Sequence, residues 1–213
     1  MFAASDRPPV KAAFYLWGIN FAKKVSVYVD RFNLYYAIKD LQNNRLQWVD
    51  LWALSEKLVR NNETVNVVKY FSAYFTWNDA TYRRHQRYVT ALKAEGVQFI
   101  AGNFKWKTFE CPECNSDFSK PEEKETDVNI GAHLLADACK DRFDRALIIS
   151  ADTDLNQAVN LARKETTDKQ IDIVAPPGRR LRNRATLFEI PISKLRSSLL
   201  SSDTINTIVR DGR

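Results

Sequence analysis

Apolar positions along the 213-residue chain fall into two alternating patterns. Short apolar or β-branched runs recur at residues 25–29, 65–75, 97–101, 146–149 and 171–175, and each reads as a strand. Between them the spacing changes to that of helices. Residues 34–41 form one, and Leu51, Leu54 and Leu58 repeat at helical spacing behind Asp50. Residues 79–95 place Tyr82, His85, Val89 and Leu92 on one stripe, with Arg83, Arg84 and Arg87 off it. His85 on that stripe reads as a core or rim histidine, and Gly96 as the helix stop. Helices at 127–139 and 154–164 complete the series, the first with Asp127, Ile130, Leu134 and Ala138 on one face. Unbroken apolar strands separated by helices predict an α/β fold, a central mostly parallel sheet flanked by helices on both faces. Residues 102–123, punctuated by Gly, Pro, Asn and Ser, read as irregular. The tail from residue 191 reads as one short helix and a loose end.

In an open parallel sheet, ligands bind beyond the carboxyl ends of the strands, where the strand order reverses. Asp30 follows the strand at 25–29, Asp152 follows the one at 146–149, and Asp154 stands at the start of the next helix. Asp127 caps the inward stripe of its own helix. Each alone is an ordinary turn, cap or first-turn residue. Four carboxylates at one rim repel one another and call for a compensating cation. Mg²⁺ or Mn²⁺ meets that need, because hard ions take a few carboxylates, several waters and phosphate oxygens. One or two such ions activate water and stabilise charge in displacement at phosphorus.

Three segments carry these acids: Tyr28-Val29-Asp30-Arg31-Phe32-Asn33-Leu34-Tyr35-Tyr36, Glu123-Lys124-Glu125-Thr126-Asp127-Val128-Asn129-Ile130, and Ile149-Ser150-Ala151-Asp152-Thr153-Asp154-Leu155. In order and spacing they resemble the acidic motifs of NYN-domain proteins, the PIN-like nuclease branch that includes LabA-like proteins. The resemblance implies a PIN-like three-layer fold, a sheet of five or more strands, and a metal-dependent ribonuclease site. Carried over by position, Asp30, Asp127, Asp152 and Asp154 become the metal-binding and catalytic set. Asn33 orients Asp30 or contacts substrate, and Ser150 and Thr153 are supporting hydroxyls. Arg31 and Ala151 stand where many members have glycine. Arg31 is accordingly read as a phosphate contact or as a side chain narrowing the entrance.

Composition fits a globular chain, with 45% hydrophobic and 27% charged residues and only 6 Gly and 7 Pro. The length suits one domain, read as a leader or arm at 1–24, a nuclease-type body at 25–190, and a C-terminal helix and tail at 191–213. The net charge of +6 is uneven: residues 1–24 carry +3, 179–184 carry +4 and 185–213 carry +1, which leaves −2 on the stretch holding all four acids. Arg179, Arg180, Arg182 and Arg184 follow the strand at 171–175 and so leave by the same rim. That arrangement suits a polyanion whose scissile phosphate must reach metals. Lys124, three residues before Asp127, is read as a further phosphate contact. Lys105-Trp106-Lys107, with Phe104 and Phe109, suits either stacking of single-stranded bases or anchoring of its own loop.

Three cysteines do not make a secreted disulfide framework, so a cytoplasmic setting is expected. Cys111-Pro112-Glu113-Cys114 has knuckle spacing but lacks the second pair of a zinc site. Cys139 reads as buried and His133 as another recruit, which leaves a shared zinc, a redox pair and an unliganded pair open. The longest apolar run, 12–22, is too short to cross a bilayer and reads as an arm or partner contact rather than a signal peptide. The expected function is that of a divalent-metal endoribonuclease acting on single-stranded or loop RNA, without a membrane partner and with a homo-oligomer left open. Two other readings stand beside it. One is an RNA-binding PIN-like module without turnover, suggested by Arg31 and Ala151. The other is a haloacid dehalogenase-type phosphatase, because Asp152-Thr153-Asp154 after a strand mimics that nucleophile motif, although three strands precede it here.

Overall fold

The structure is a computed structural model that describes residues 22–210, so the leader expected at 1–24 lies outside the described residues except at its last three positions. The chain runs β1 (Lys23–Asp30), α1 (Arg31–Asp40), a 3₁₀ turn (Asn44–Trp48), α2 (Leu51–Leu58), β2 (Glu63–Ser72), α3 (Asp79–Ala94) and β3 (Gln98–Ala101). It continues through β4 (Asn103–Glu110), β5 (Asp117–Lys124), α4 (Thr126–Cys139), β6 (Arg145–Ile149), α5 (Leu155–Glu165) and β7 (Gln170–Ala175). A second 3₁₀ turn (Arg180–Arg182), β8 (Thr186–Glu189), α6 (Ile192–Arg196) and α7 (Ser202–Arg210) complete it.

Six strands form one sheet in the order β3-β2-β1-β6-β7-β8, every neighbouring pair parallel. Both faces are covered, and the period of two shows it. Val25, Val27 and Val29 of β1 join Leu147 and Ile149 of β6 in the core under α1 and α2. Tyr28 joins Ala146 and Ile148 in the opposite core under α4 and α5, with Ile130, Leu134 and Val159. The result is the expected α/β three-layer arrangement. Strand order reverses between β1 and β6, whose registers bring Val29 opposite Ile149, so their carboxyl ends open side by side.

The amino end of the sheet carries its charges in pairs. Arg145, almost fully buried, donates from Nε to Asp172 at 2.7 Å and from Nη1 to Glu63 at 2.9 Å, tying β6 to β7 and β2. Nearby, buried Asp137 of α4 accepts from the Tyr28 hydroxyl at 2.8 Å, from Lys69, and from Arg142 at 3.1 Å.

Three expectations are corrected. Residues 102–123 are not irregular but hold an antiparallel hairpin of β4 and β5, apart from the main sheet. Its Gly and Pro signals misled because they fall at its margins: Pro112 and Asn115, the latter with φ 52°, lie in the connecting turn, while Pro121 sits in a two-stranded ribbon that tolerates a lost donor. The tail contains two helices and follows a four-residue edge strand, β8, too short to announce itself. Cys139 is exposed rather than buried, because Ile130, Leu134 and Ala138 face inward and the next residue turns about 100° away.

Candidate active site

Asp30 ends β1 and caps α1, so its carboxylate is fixed where the strand turns into the helix. It is 2% exposed and accepts from the Asn33 backbone at 3.2 Å, Asn33 Nδ2 at 2.7 Å and Ser150 Oγ at 2.8 Å. Asn33 turns its other amide atom to the neighbouring strand end, where Oδ1 accepts from Ala151 N–H at 3.2 Å. Ser150 Oγ in turn accepts from Asp152 N–H at 3.1 Å, and Asp152 Oδ1 from Asp154 N–H at 3.0 Å. The ends of β1 and β6 are thus laced together by Asn33 and Ser150. Asp152 is half-buried, while Asp154 and Thr153 are exposed.

Asp127 enters from the first turn of α4. Burial, followed by the charges of Asp30, Asp152, Glu123 and Asp154, pushes its carboxyl up from 3.8 to about 6. Asp30 is also raised, chiefly by burial and to a lesser degree by Asp152, against its hydrogen bonds from Asn33 and Ser150. Among the described residues no lysine or arginine pairs with any of these five acids. The contrast with the amino end, where every buried acid has its cation, is direct.

Among the described residues no three carboxylate, imidazole or thiol groups close on one point as a ready-made metal cage. An all-oxygen donor set of mutually repelling carboxylates nevertheless suits a hard divalent ion, which is held through one or two carboxylates, waters and substrate phosphate. Asp30, Asp127, Asp152 and Asp154 are the residues able to hold it.

Two participants were missed from sequence. Glu123 accepts from Thr126 N–H at 3.1 Å and from its hydroxyl, replacing the cap that Glu125, left-handed at φ 79°, does not supply. Burial and Asp30 raise its carboxyl as well. The Glu-x-x-Thr spacing before a helix was the available signal. Buried Asn183 donates to the Asp152 carbonyl at 2.9 Å and exchanges bonds with Asn156, so the arginine-bearing loop is pinned to the acid loop. No local pattern marks it.

The structure spreads the other named residues. Arg180, Arg182 and Arg184 are exposed on the loop after β7, whereas Arg179 pairs with Asp40. Lys124 binds Glu122 at 3.0 Å rather than an acid of the cluster. Arg31 does not reach the rim: it is 7% exposed, with its guanidinium about 5 Å from the rings of Phe32, Tyr35 and Phe75. Ala151 keeps an ordinary φ, so the turn there does not require glycine. Cys111 and Cys114 lie in the β4–β5 turn, where Cys114 Sγ is 2.9 Å from Ser116 Oγ. Phe104 packs on Phe75 and Trp77 with ring centres 4.7 and 4.8 Å apart, while Trp106, 5.6 Å from Trp77, is 60% exposed. Phe109 stacks on Phe118 near the tip of the hairpin.

The profile of the NYN domain matches residues 24–190. The chain is 28% identical to 6-hydroxy-3-succinoylpyridine 3-monooxygenase HspA from Pseudomonas putida (strain DSM 28022 / S16), in a match covering 72% of this chain and 59% of that protein's length. Its fold is similar to the crystal structure of a protein of unknown function from Vibrio parahaemolyticus RIMD 2210633, with a TM-score of 0.55, 15% identity, and coverage of 84% of this chain and 98% of the other.

Proposed function

From a chain that belongs to the NYN domain family of PIN-like nucleases, we propose a divalent-metal-dependent endoribonuclease that hydrolyses phosphodiester bonds in single-stranded or loop RNA. The observation that carries this reading is the group of acids around the β1/β6 strand ends that have no cation partner among the described residues, where the other buried acids are paired. When bound, a divalent ion supplies activation of water and neutralises charge on the phosphodiester. Asp30, Asp127, Asp152 and Asp154 hold it, and Asn33 and Ser150 keep the Asp30 oxygens aimed. Asn183 fixes the Asp152 turn against the loop whose Arg180, Arg182 and Arg184 grip flanking phosphates.

The preference for unpaired strands rests on the hairpin. Phe32, two residues beyond Asp30, contacts Phe104, and the ring contacts continue through Trp77 to exposed Trp106, with Lys105 and Lys107 alongside. Such a ladder stacks unpaired bases as they approach the rim. The oxygen-rich acid cluster favours hydrolysis over the oxidation named for the Pseudomonas relative.

Purified protein with Mn²⁺ is expected to cut single-stranded RNA, and Asp152→Asn to abolish cutting with an unchanged melting profile. Undiminished cutting by the variant would remove the site assignment. Calorimetric Mn²⁺ binding that is lost in Asp30→Asn, with no RNA cleaved by wild type, would replace the enzyme by a binding module.

A further inference from the structure

A cavity of about 420 Å³ lies between α1, the first 3₁₀ turn, α3 and α7, a size typical of small-molecule sites. None of the four acids lines it, nor does any other aspartate or glutamate among the described residues. Arg31 does, and its situation is unusual. The guanidinium is buried against aromatic rings, its Nη1 has no hydrogen-bond partner, and among the described residues no carboxylate pairs with it. A guanidinium does not give up its proton, so burial without an anion is costly.

His85 adds a second orphan. Its Nε2 lies 3.3 Å from Ser72 Oγ, and its buried Nδ1 has no partner. Burial and the Arg31 charge hold the ring neutral, with a pKa near 3, so it offers a polar contact without a charge. Exposed Arg84 brings another cation to the lining. Tyr35, Trp48 and Tyr88 supply the aromatic wall, with Trp48 and Tyr88 meeting edge to face at 5.9 Å. A buried cation, an orphaned imidazole nitrogen and flat rings are the complement of a flat molecule with one negative end.

We propose that this cavity binds a small planar anion, an aromatic or heteroaromatic ring bearing one carboxylate or phosphate, with the anionic group on Arg31 and the ring among Tyr35, Trp48 and Tyr88. The site is independent of the nuclease reading, and its test involves no RNA cleavage. The full-length protein in EDTA is titrated calorimetrically with nicotinate and with AMP, each beside its neutral counterpart, nicotinamide or adenosine. At least one anion is expected to bind saturably and about tenfold or more tightly than its neutral partner. Whichever binds better identifies carboxylate or phosphate as the preferred group. Arg31→Met, similar in length but uncharged, should weaken that binding at least about tenfold while raising the melting temperature of the ligand-free protein, a gain expected only where the charge was unpaired. Arg84→Gln, at an exposed position, should weaken binding about two- to threefold without moving the melting temperature, and serves if Arg31→Met does not fold. Absence of saturable binding by both anions overturns the proposal. So does equal binding by Arg31→Met and wild type or, should that variant not fold, equal binding by Arg84→Gln and wild type.

Discussion

Replacing Asp127 by asparagine should stabilise the metal-free protein at neutral pH, the reverse of what most substitutions do. Burial and four neighbouring carboxylates raise this group from 3.8 to about 6 in the folded chain. In the unfolded chain it returns to its ordinary value, so between those two values the folded state holds a proton that the unfolded state has released. Stability therefore falls as pH rises through that window and stays lowered above it. At about 1.36 kcal/mol per pH unit the displacement corresponds to at most about 3 kcal/mol. Solvent screening of a half-buried side chain reduces this substantially, and the N-terminus of α4 returns about 0.3–1 kcal/mol to the ionised form. A net gain of about 1 kcal/mol remains for Asp127→Asn, a rise of about 2–4 °C in Tm for a chain of this size. Thermal unfolding in EDTA at about pH 7.5 and about pH 4 measures it: the variant should melt higher at the first, and the gap should narrow at the second. Excess Mn²⁺ should then raise the wild-type Tm more than that of the variant, because only the folded wild type presents the full acid set. A variant that melts below wild type in EDTA at neutral pH, or a gap that ignores pH, would refute the reasoning.

Two further outcomes follow from opposite ends of the molecule. Arg145→Met leaves Glu63 and Asp172 buried without their cation, and should cost about 3–5 kcal/mol in denaturant unfolding while leaving cleavage per folded molecule unchanged; a midpoint shift of under about 1 kcal/mol would show the triad to be dispensable. Trp106→Ala removes the most exposed ring of the hairpin ladder, and should weaken single-stranded RNA binding by about 1–3 kcal/mol without moving Tm, as read by fluorescence anisotropy; an unchanged affinity would separate the hairpin from the substrate path.

Much of the fold was legible because a parallel sheet buried on both faces writes itself as unbroken apolar runs. Residues 25–29, 146–149 and 171–175 each emerge as strands within a residue or two of their expected ends. The hairpin was lost for the corresponding reason. β4 and β5 stand off the main sheet, so most of their side chains face water, and Lys105, Lys107 and Lys120 interrupt any apolar run. The four residues of β8 pair only at the sheet edge, where too little area is buried to demand a pattern. Asn183 shows the same limit at the site: its bonds to the Asp152 carbonyl and to Asn156 are set by tertiary placement, and composition carries no record of them, whereas Glu123 bonds Thr126 three residues on and its spacing was there to read.

Arg31 shows where adjacency along the chain misleads. Its position next to Asp30 suggests a shared target, yet Asp30 is the extended cap that ends β1 while Arg31 is the first residue of α1, and the two side chains leave the turn in different directions. Asp30 turns to Ser150 and the acids of the rim, while Arg31 turns to Phe32, Tyr35 and Phe75. Each ends buried with no opposite charge beside it among the described residues. Had they faced one another, they would have formed an internal ion pair like that of Arg145 and Glu63, and the first turn of α1 would carry no unmet electrostatic demand. Held apart, they leave a cation missing on one side of the turn and an anion missing on the other. Among the described residues nothing supplies either charge, so a bound cation at the one place and a bound anion at the other would each add to folding stability.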